Sequence, residues 1–465
     1  MITTDSTTAL EERSALDRFL RLFADVRAGE GLIAILLTVN LFLLLTGYLI
    51  IKTVREALIL SEGSAEIKSY AAAGQAFLLF LCVPAYGYLA SRVNRIKLIN
   101  GVTLFFVSNL FAFYLMSQLR LPLGVVFYLW VGVFNLFIIA QFWSFANDIY
   151  TEDQGKRLFA IVAFGGSLGA ILGPKLASAL FEPFGPYLLM LVTAGLLGIC
   201  LIFPNIVNAM ERSGGRVAEK ASDAAQPLAK GGAFRLVIGK LYLLLIAVLM
   251  IVSNLVNTNG EFILGKTVTQ QAQRLADSPP AATAKEDMAR ASTEEEKGKK
   301  VRDFIARFYG DFFFTVNLIS ALAQLFLVSR VMKFSGVPAS LFFLPIISLT
   351  AYSVISIIPA LGFIRLVKIV ENSTDYSLQN TARQALFLPT SREEKYKAKA
   401  AIDTFFVRTG DVLSTGLVFL SVQLSLSVQA LSLINVFLIV LWLLLVFRIG
   451  RSYGALTARE IGVAA

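Results

Sequence analysis

The sequence predicts an all-α membrane protein of twelve transmembrane helices arranged as two six-helix halves. Three observations carry that expectation. The chain is 56% hydrophobic and 16% charged, with 37 Phe in 465 residues, too apolar for an ordinary soluble domain. Runs long enough to cross a hydrocarbon core of about 30 Å begin near residues 31, 68, 97, 123, 157, 186, 236, 303, 337, 360, 401 and 427. Basic residues gather in alternate loops, at 92–97, 156–157, 212–235, 330–333, 392–399 and 448–451, whereas the loops 182–186 and 425–429 hold neither Lys nor Arg. That is the positive-inside pattern, and it puts both termini in the cytoplasm.

The same patterning excludes other classes. The net charge of +10 follows loop topology and lacks the aromatic interleaving of a nucleic-acid surface, so no nucleic-acid partner is expected. Cys82 and Cys200 both fall in apolar runs, and the chain has no His, which leaves no metal set and no cofactor to expect. Arg13, Arg18, Arg21 and Arg27 surround no compact apolar core, so no removed signal peptide is expected and the first span itself directs insertion. The expected segments are a cytoplasmic stretch 1–30, a half 31–207, a linker 208–235, a half 236–450 with a non-cytoplasmic insert 267–302, and a tail 451–465.

Helical spacing places polar residues on shared faces within the spans. In the first span Lys52, Arg55 and Glu56 stand at i, i+3 and i+4. The fourth offers Gln141, Ser144 and Asp148, with Asn147 beside them. Gly165, Gly169 and Gly173, then Pro174, mark the fifth span as a close-packing helix. They are also similar to the glycine-proline signature of major facilitator antiporters. The seventh span carries Asn254, Asn257 and Glu261, and the tenth carries a stripe of Arg365, Lys368, Glu371, Asp375, Gln379 and Arg383. Lys175, Asp311, Asp403, Arg408 and Asp411 add charges nearby. Ionisable groups at membrane depth cost roughly 2.5–3.5 kcal/mol each, so such stripes point to a pathway or a binding site. A competing reading makes Lys52 with Glu56, and Arg307 with Asp311, internal ion pairs or interfacial snorkelling residues. Gly260 to Thr267 satisfies the phosphate-loop spacing but ends an apolar helix instead of following a strand, so a soluble ATPase site is not expected.

The halves echo one another. Lys52-Thr53-Val54 recurs as Lys266-Thr267-Val268, and Ser91-Arg92-Val93 as Ser329-Arg330-Val331, each at the matching place in its half. Parallel six-span repeats with a mid-membrane cavity between them are the major facilitator plan.

Two longer stretches carry a family resemblance. Phe142-Trp143-Ser144-Phe145-Ala146-Asn147-Asp148-Ile149-Tyr150-Thr151, running on through Gly155-Lys156-Arg157-Leu158-Phe159, resembles the fourth-span signature of the nucleotide transporters. These are the ATP/ADP translocases of plastids and obligate intracellular bacteria. Tyr376-Ser377-Leu378, Pro389, and Lys395 to Asp403 are similar to their tenth-span signature, and Arg55-Glu56 to a pair that ends their first span. Gln154 departs from a usual acid, and Asn380, Arg383 and Gln384 replace an Asp, a Lys and a Glu, which marks a divergent bacterial member.

The resemblance implies ATP/ADP antiport across a bacterial inner membrane, with ATP, ADP and phosphate as small-molecule partners of a monomer in the lipid bilayer. Phosphates need Arg and Lys donors, and Lys52, Arg55, Lys266, Arg365, Lys368 and Arg383 are the candidates. Glu56, Asn147, Asp148, Asn257, Glu261, Glu371 and Asp375 are expected as polar or coupling groups of the cavity, and Lys156, Arg157, Lys397 and Lys399 as basic loop residues. Arg55, Glu261 and one of Lys397 or Lys399 match charged residues important in that family. Two alternatives stay open. One is a proton- or ion-coupled carrier of another organic anion that uses Glu261, Glu371 or Asp375; the other is a non-transporting membrane scaffold. No nucleophile-base pair argues for an enzyme.

Overall fold

The computed structural model describes residues 15–21, 26–27, 29–90, 92–213, 233–277, 294–391, 394 and 398–463, among which there is helix and no strand. Eight of its helices are long and apolar enough to cross a membrane. Two of these, Arg157–Glu211 and Glu296–Ser340, are interrupted where Gly185 (φ 72°) and Gly336 (φ 76°) enter the left-handed region. The breaks fall where the sequence expects one span to turn into the next. The runs expected near 68 and 360 fall on the helices Ala65–Ala90 and Leu361–Thr374.

Local chemistry sets the helix ends. Asn94 Oδ1 accepts the Ile96 amide at 3.1 Å to start the third span. Thr151 and Gln154 form a capping box that starts the fifth. The seventh span runs as one helix from Leu241 to Asp277, and the eighth begins at Glu294, so both reach into the expected insert. Lys297 pairs with Asp277 at 3.1 Å across its mouth. The sixth span likewise continues through Ile202–Ser213 into the expected linker.

Glycine lets helices meet at backbone distance. A Cβ at Gly165, Gly169 or Gly173 would lie 2.3, 2.4 or 2.8 Å from the carbonyl oxygens of Thr38, Phe42 and Thr46, so the first span lies directly on the fifth. The second half repeats this between its seventh and eleventh spans, where a Cβ at Gly410 would lie 2.7 Å from the Ile251 carbonyl.

The halves join through the fifth span against the eighth and the second against the eleventh. Lys175 pairs with Asp311 at 3.0 Å, Arg307 pairs with Glu182, and Asn317 donates to the Ala170 carbonyl at 2.9 Å. Arg307 therefore does not take Asp311, the partner that sequence spacing offered. Thr415 donates to the Ser69 carbonyl at 2.9 Å, and Lys266 stands 3.6 Å from Glu66. Apart from the mid-span contact of Asn317 with Ala170, these lie toward the helix ends remote from Gly31 and Leu241, where the two halves begin.

At the opposite ends each half is tied by its own ion pair. Arg157 grips Glu30 through both guanidinium nitrogens at 2.9 and 3.0 Å, and Gln154 Nε2 donates to the same carboxylate at 3.1 Å. An acid at position 154 would face Glu30 with like charge, so the glutamine suits this clasp. Burial opposes ionisation of Glu30, but the hydrogen bonds from Arg157, the Arg27 amide and Gln154 outweigh it and hold the carboxyl at about 2. In the second half Lys240 pairs with Glu394. Burial there is again outweighed, by Lys240 and by the Ser391 amide, and the Glu394 carboxyl is held below its ordinary range.

Candidate functional site

A cavity of about 200 Å³ lies between the two halves, lined from both. The first span supplies Lys52, Arg55 and Glu56; Lys68 comes from the second, Asn257 and Glu261 from the seventh. Asn372 and Tyr376 of the tenth span and Arg408 and Asp411 of the eleventh complete it.

Most of these charges are partnered. Glu56 is gripped by Arg55 and, at 2.6 Å, by Lys68. Asp411 takes Arg408 at 3.0 Å, the Asn254 amide at 2.7 Å and the Thr258 hydroxyl at 2.9 Å. Glu261 accepts the Asn372 amide at 3.0 Å and lies 3.3 Å from Lys368. Four cations thus meet three carboxylates along the wall. The surplus charge belongs to Lys52, which among the described residues has no carboxylate partner and rests its ammonium 4.2 Å from the centre of the Phe313 ring. Arg55 lies over Tyr128 at 4.5 Å in the same way. Tyr376 keeps 46% of its surface exposed while lining the cavity. A surplus cation beside hydrogen-bond donors can hold a multivalent anion.

Comparison with known proteins bears on this geometry. Residues 311–453 match the TLC ATP/ADP transporter family. The ADP,ATP carrier protein 1 of Chlamydia trachomatis serovar D is 23% identical over 366 residues, which cover 70% of this chain and 64% of that carrier. The chain thus spans less than two thirds of the curated carrier it matches. Among solved structures, a bacterial homologue of the human lysosomal transporter Spinster, inward-facing and unoccupied, aligns with TM-score 0.57 at 13% identity over 91% of this chain and 98% of that one. An inward-facing bacterial homologue of the iron transporter ferroportin aligns with TM-score 0.58 at 14% identity over 90% and 98%. At such identity these likenesses concern the fold, which is major facilitator-like. With eight helices long and apolar enough to cross a membrane, the chain is a multi-pass membrane protein of this fold.

The candidate residues divide by location. Lys52, Arg55, Glu56, Asn257 and Glu261 line the cavity together. Lys52 does not pair with Glu56, because Arg55 and Lys68 already hold that carboxylate. Lys368 and Glu371 are withdrawn behind the wall, with Lys368 1% exposed and its ammonium 2.8 Å from Glu371, 3.0 Å from Asn257 Oδ1 and 3.3 Å from Glu261. Ser348 and Tyr352 donate to Glu371 at 2.8 and 3.2 Å. Lys266 pairs with Glu66 away from the cavity, and Arg365 lies over Phe308 at 5.2 Å. Asp375 and Arg383, 3.4 Å apart, and Lys399 line a second cavity within the C-terminal half.

The tenth-span stripe therefore does not face one space. A π-helical turn over Asp375–Gln379 changes the register, so the i, i+3, i+4 rule fails across it. Asn147 and Asp148 are exposed at the end of the fourth span, where Asp148 lies 3.7 Å from Arg95. Arg157 serves the Glu30 clasp, Lys156 lies on the fifth-span helix, and Lys397 falls outside the described residues. The phosphate-loop pattern Gly260 to Thr267 is helical throughout, which commits its amides to the helix. Gly260 serves packing instead, since a Cβ there would meet the Tyr352 hydroxyl at 1.9 Å. Lys68 is the charged cavity residue that sequence reasoning missed, because its place near the start of a span reads as an ordinary flanking charge; Gln75, Tyr128 and Thr258 also line the cavity and carry no signal of their own in the sequence.

Proposed function

We propose that this protein is a secondary transporter that exchanges ATP for ADP by alternating access, in a bacterial inner membrane with both termini cytoplasmic. The observation that carries the reading is Lys52, an ammonium without a carboxylate partner in a cavity shared by the two halves. A polyphosphate entering that space meets Lys52 first and then competes with Glu56 for Arg55 and Lys68. The carriers that the chain resembles are named for ADP and ATP, which agrees with that anion class.

The cavity of about 200 Å³ is smaller than the roughly 300–1,000 Å³ of typical ligand pockets. A nucleotide is then admitted only when the halves part on one side. Contacts such as Lys175 with Asp311 and Ser69 with Thr415 brace one side of the cavity, so the opposite, terminus-bearing side is the one that opens in this state. All three cavity carboxylates already have cationic or amide partners, which favours anion exchange over a proton-coupled carrier.

Binding is tested by thermal shift of the purified protein in detergent. ATP and ADP should each stabilise the folded protein, increasingly with the logarithm of concentration and by about 2.7 kcal/mol at a hundredfold excess over Kd, while adenosine, lacking phosphate, should do so far less at equal concentration. Absence of a shift with every nucleoside di- and triphosphate would remove nucleotides as the cargo.

A further inference from the structure

The second cavity, about 300 Å³ between the seventh, tenth and eleventh spans, differs in chemistry from the first. Its charges balance: Arg383 and Lys399 stand with Asp375 and Asp403 on its wall. Asn380 and Gln384, at i and i+4 on one face of the tenth span, are both exposed, and among the described residues neither side chain has a hydrogen-bond partner. Met250, Phe387 and Val407 give the same space an apolar floor. A neutral cavity with an apolar floor and open amides suits a flat, uncharged, hydrogen-bonding group and offers no surplus charge for a phosphate.

We propose that this cavity is a purine-base subsite in which Asn380 and Gln384 read the edge of the base. The proposal rests on the nucleotide-exchange reading above and adds to it where the base goes. Asn and Gln side chains present a donor and an acceptor side by side, which matches the amino group and ring nitrogen of adenine. Asn254, the third amide on the wall, is already committed to Asp411 and to the Val407 carbonyl at 2.7 and 2.8 Å. Arg383 is drawn to Asp375 at 3.4 Å.

The placement also fits a nucleotide in length. Along the tenth span Asn372 and Tyr376 face the cation-lined cavity, and Asn380 and Gln384 face the second one. Two turns of helix separate the pairs, about 12 Å at 1.5 Å per residue, which is the scale of an extended nucleoside triphosphate from base to terminal phosphate. The π-helical turn Asp375–Gln379 lies between Asn372, which lines the first cavity, and Asn380, which lines the second, so the change from one subsite to the other falls at that turn.

The test compares ATP with inorganic tripolyphosphate, which has phosphates and no base, on the full-length protein and on the double variant Asn380→Leu with Gln384→Leu. Titration calorimetry in detergent should show ATP affinity falling by about tenfold or more and tripolyphosphate affinity unchanged, which also shows that the variant is folded. Unchanged ATP affinity overturns the base subsite, and so does an equal loss for both ligands. Wild-type protein that binds tripolyphosphate as tightly as ATP overturns it too, while leaving the cation-lined cavity intact. Wild-type protein that binds neither overturns the exchange reading itself.

Discussion

Lys368 shows how burial changes the meaning of a charged residue. On helical spacing it belongs with the phosphate candidates, yet its ammonium is enclosed by Glu371, Glu261 and Asn257. Removing it leaves two carboxylates in a low-dielectric site without their cation, a loss that costs about 3–5 kcal/mol. We predict that Lys368→Ala lowers thermal stability strongly, and that adding Glu371→Leu restores part of it. Equal melting temperatures for wild type and Lys368→Ala would show that the cluster does not hold the fold. Lys52, Arg55, Glu56, Asn257 and Glu261 were legible as a group because an apolar background makes i, i+3 and i+4 polar spacing conspicuous. Lys68 was not, since a charge near the start of a span reads equally as a flanking residue, and only packing shows that it turns inward to Glu56.

At the scale of elements, glycine and helix register decide what the spacing rules can reach. The fifth-span stripe Gly165, Gly169 and Gly173 reads correctly as a packing face because close approach needs only the absence of a Cβ. The tenth-span stripe could not be followed past Asp375, because a π-helical turn leaves no mark in hydropathy. The Glu30 clasp, which joins the start of the first span to the start of the fifth, was equally hidden, since its members lie far apart in sequence. Its carboxyl is held at about 2, below the ordinary carboxylate range, so its stabilisation is complete above about pH 4.5 and is lost as pH falls through the folded value. The contribution is at most about 3 kcal/mol and smaller after solvent screening. Melting curves of wild type and Glu30→Gln should differ at pH 7 and converge as pH approaches 2; a constant difference down to that pH would rule the clasp out as an acid-sensitive tie.

The whole molecule is two similar halves meeting over a cation-lined cavity. The major facilitator-like plan was legible from apolar runs, loop charge and repeated triplets, because a bilayer imposes span length and orientation on any sequence that crosses it. The repeat did not extend to the site. Lys266, matched to Lys52 by the shared triplet, lies beyond the cavity against Glu66, so similarity between the halves serves the scaffold and their differences make the cavity asymmetric. On the proposed function, this asymmetric cavity carries nucleotides in both directions and Lys52 receives their phosphates. Counterflow in proteoliposomes tests it most directly, with labelled ATP outside and ADP or buffer alone inside, for wild type and for Lys52→Gln. Internal ADP should accelerate ATP uptake by wild type, and Lys52→Gln should insert normally but lose about tenfold or more in apparent affinity. Uptake by wild type that ignores internal ADP, or a Lys52→Gln variant with unchanged kinetics, would contradict it.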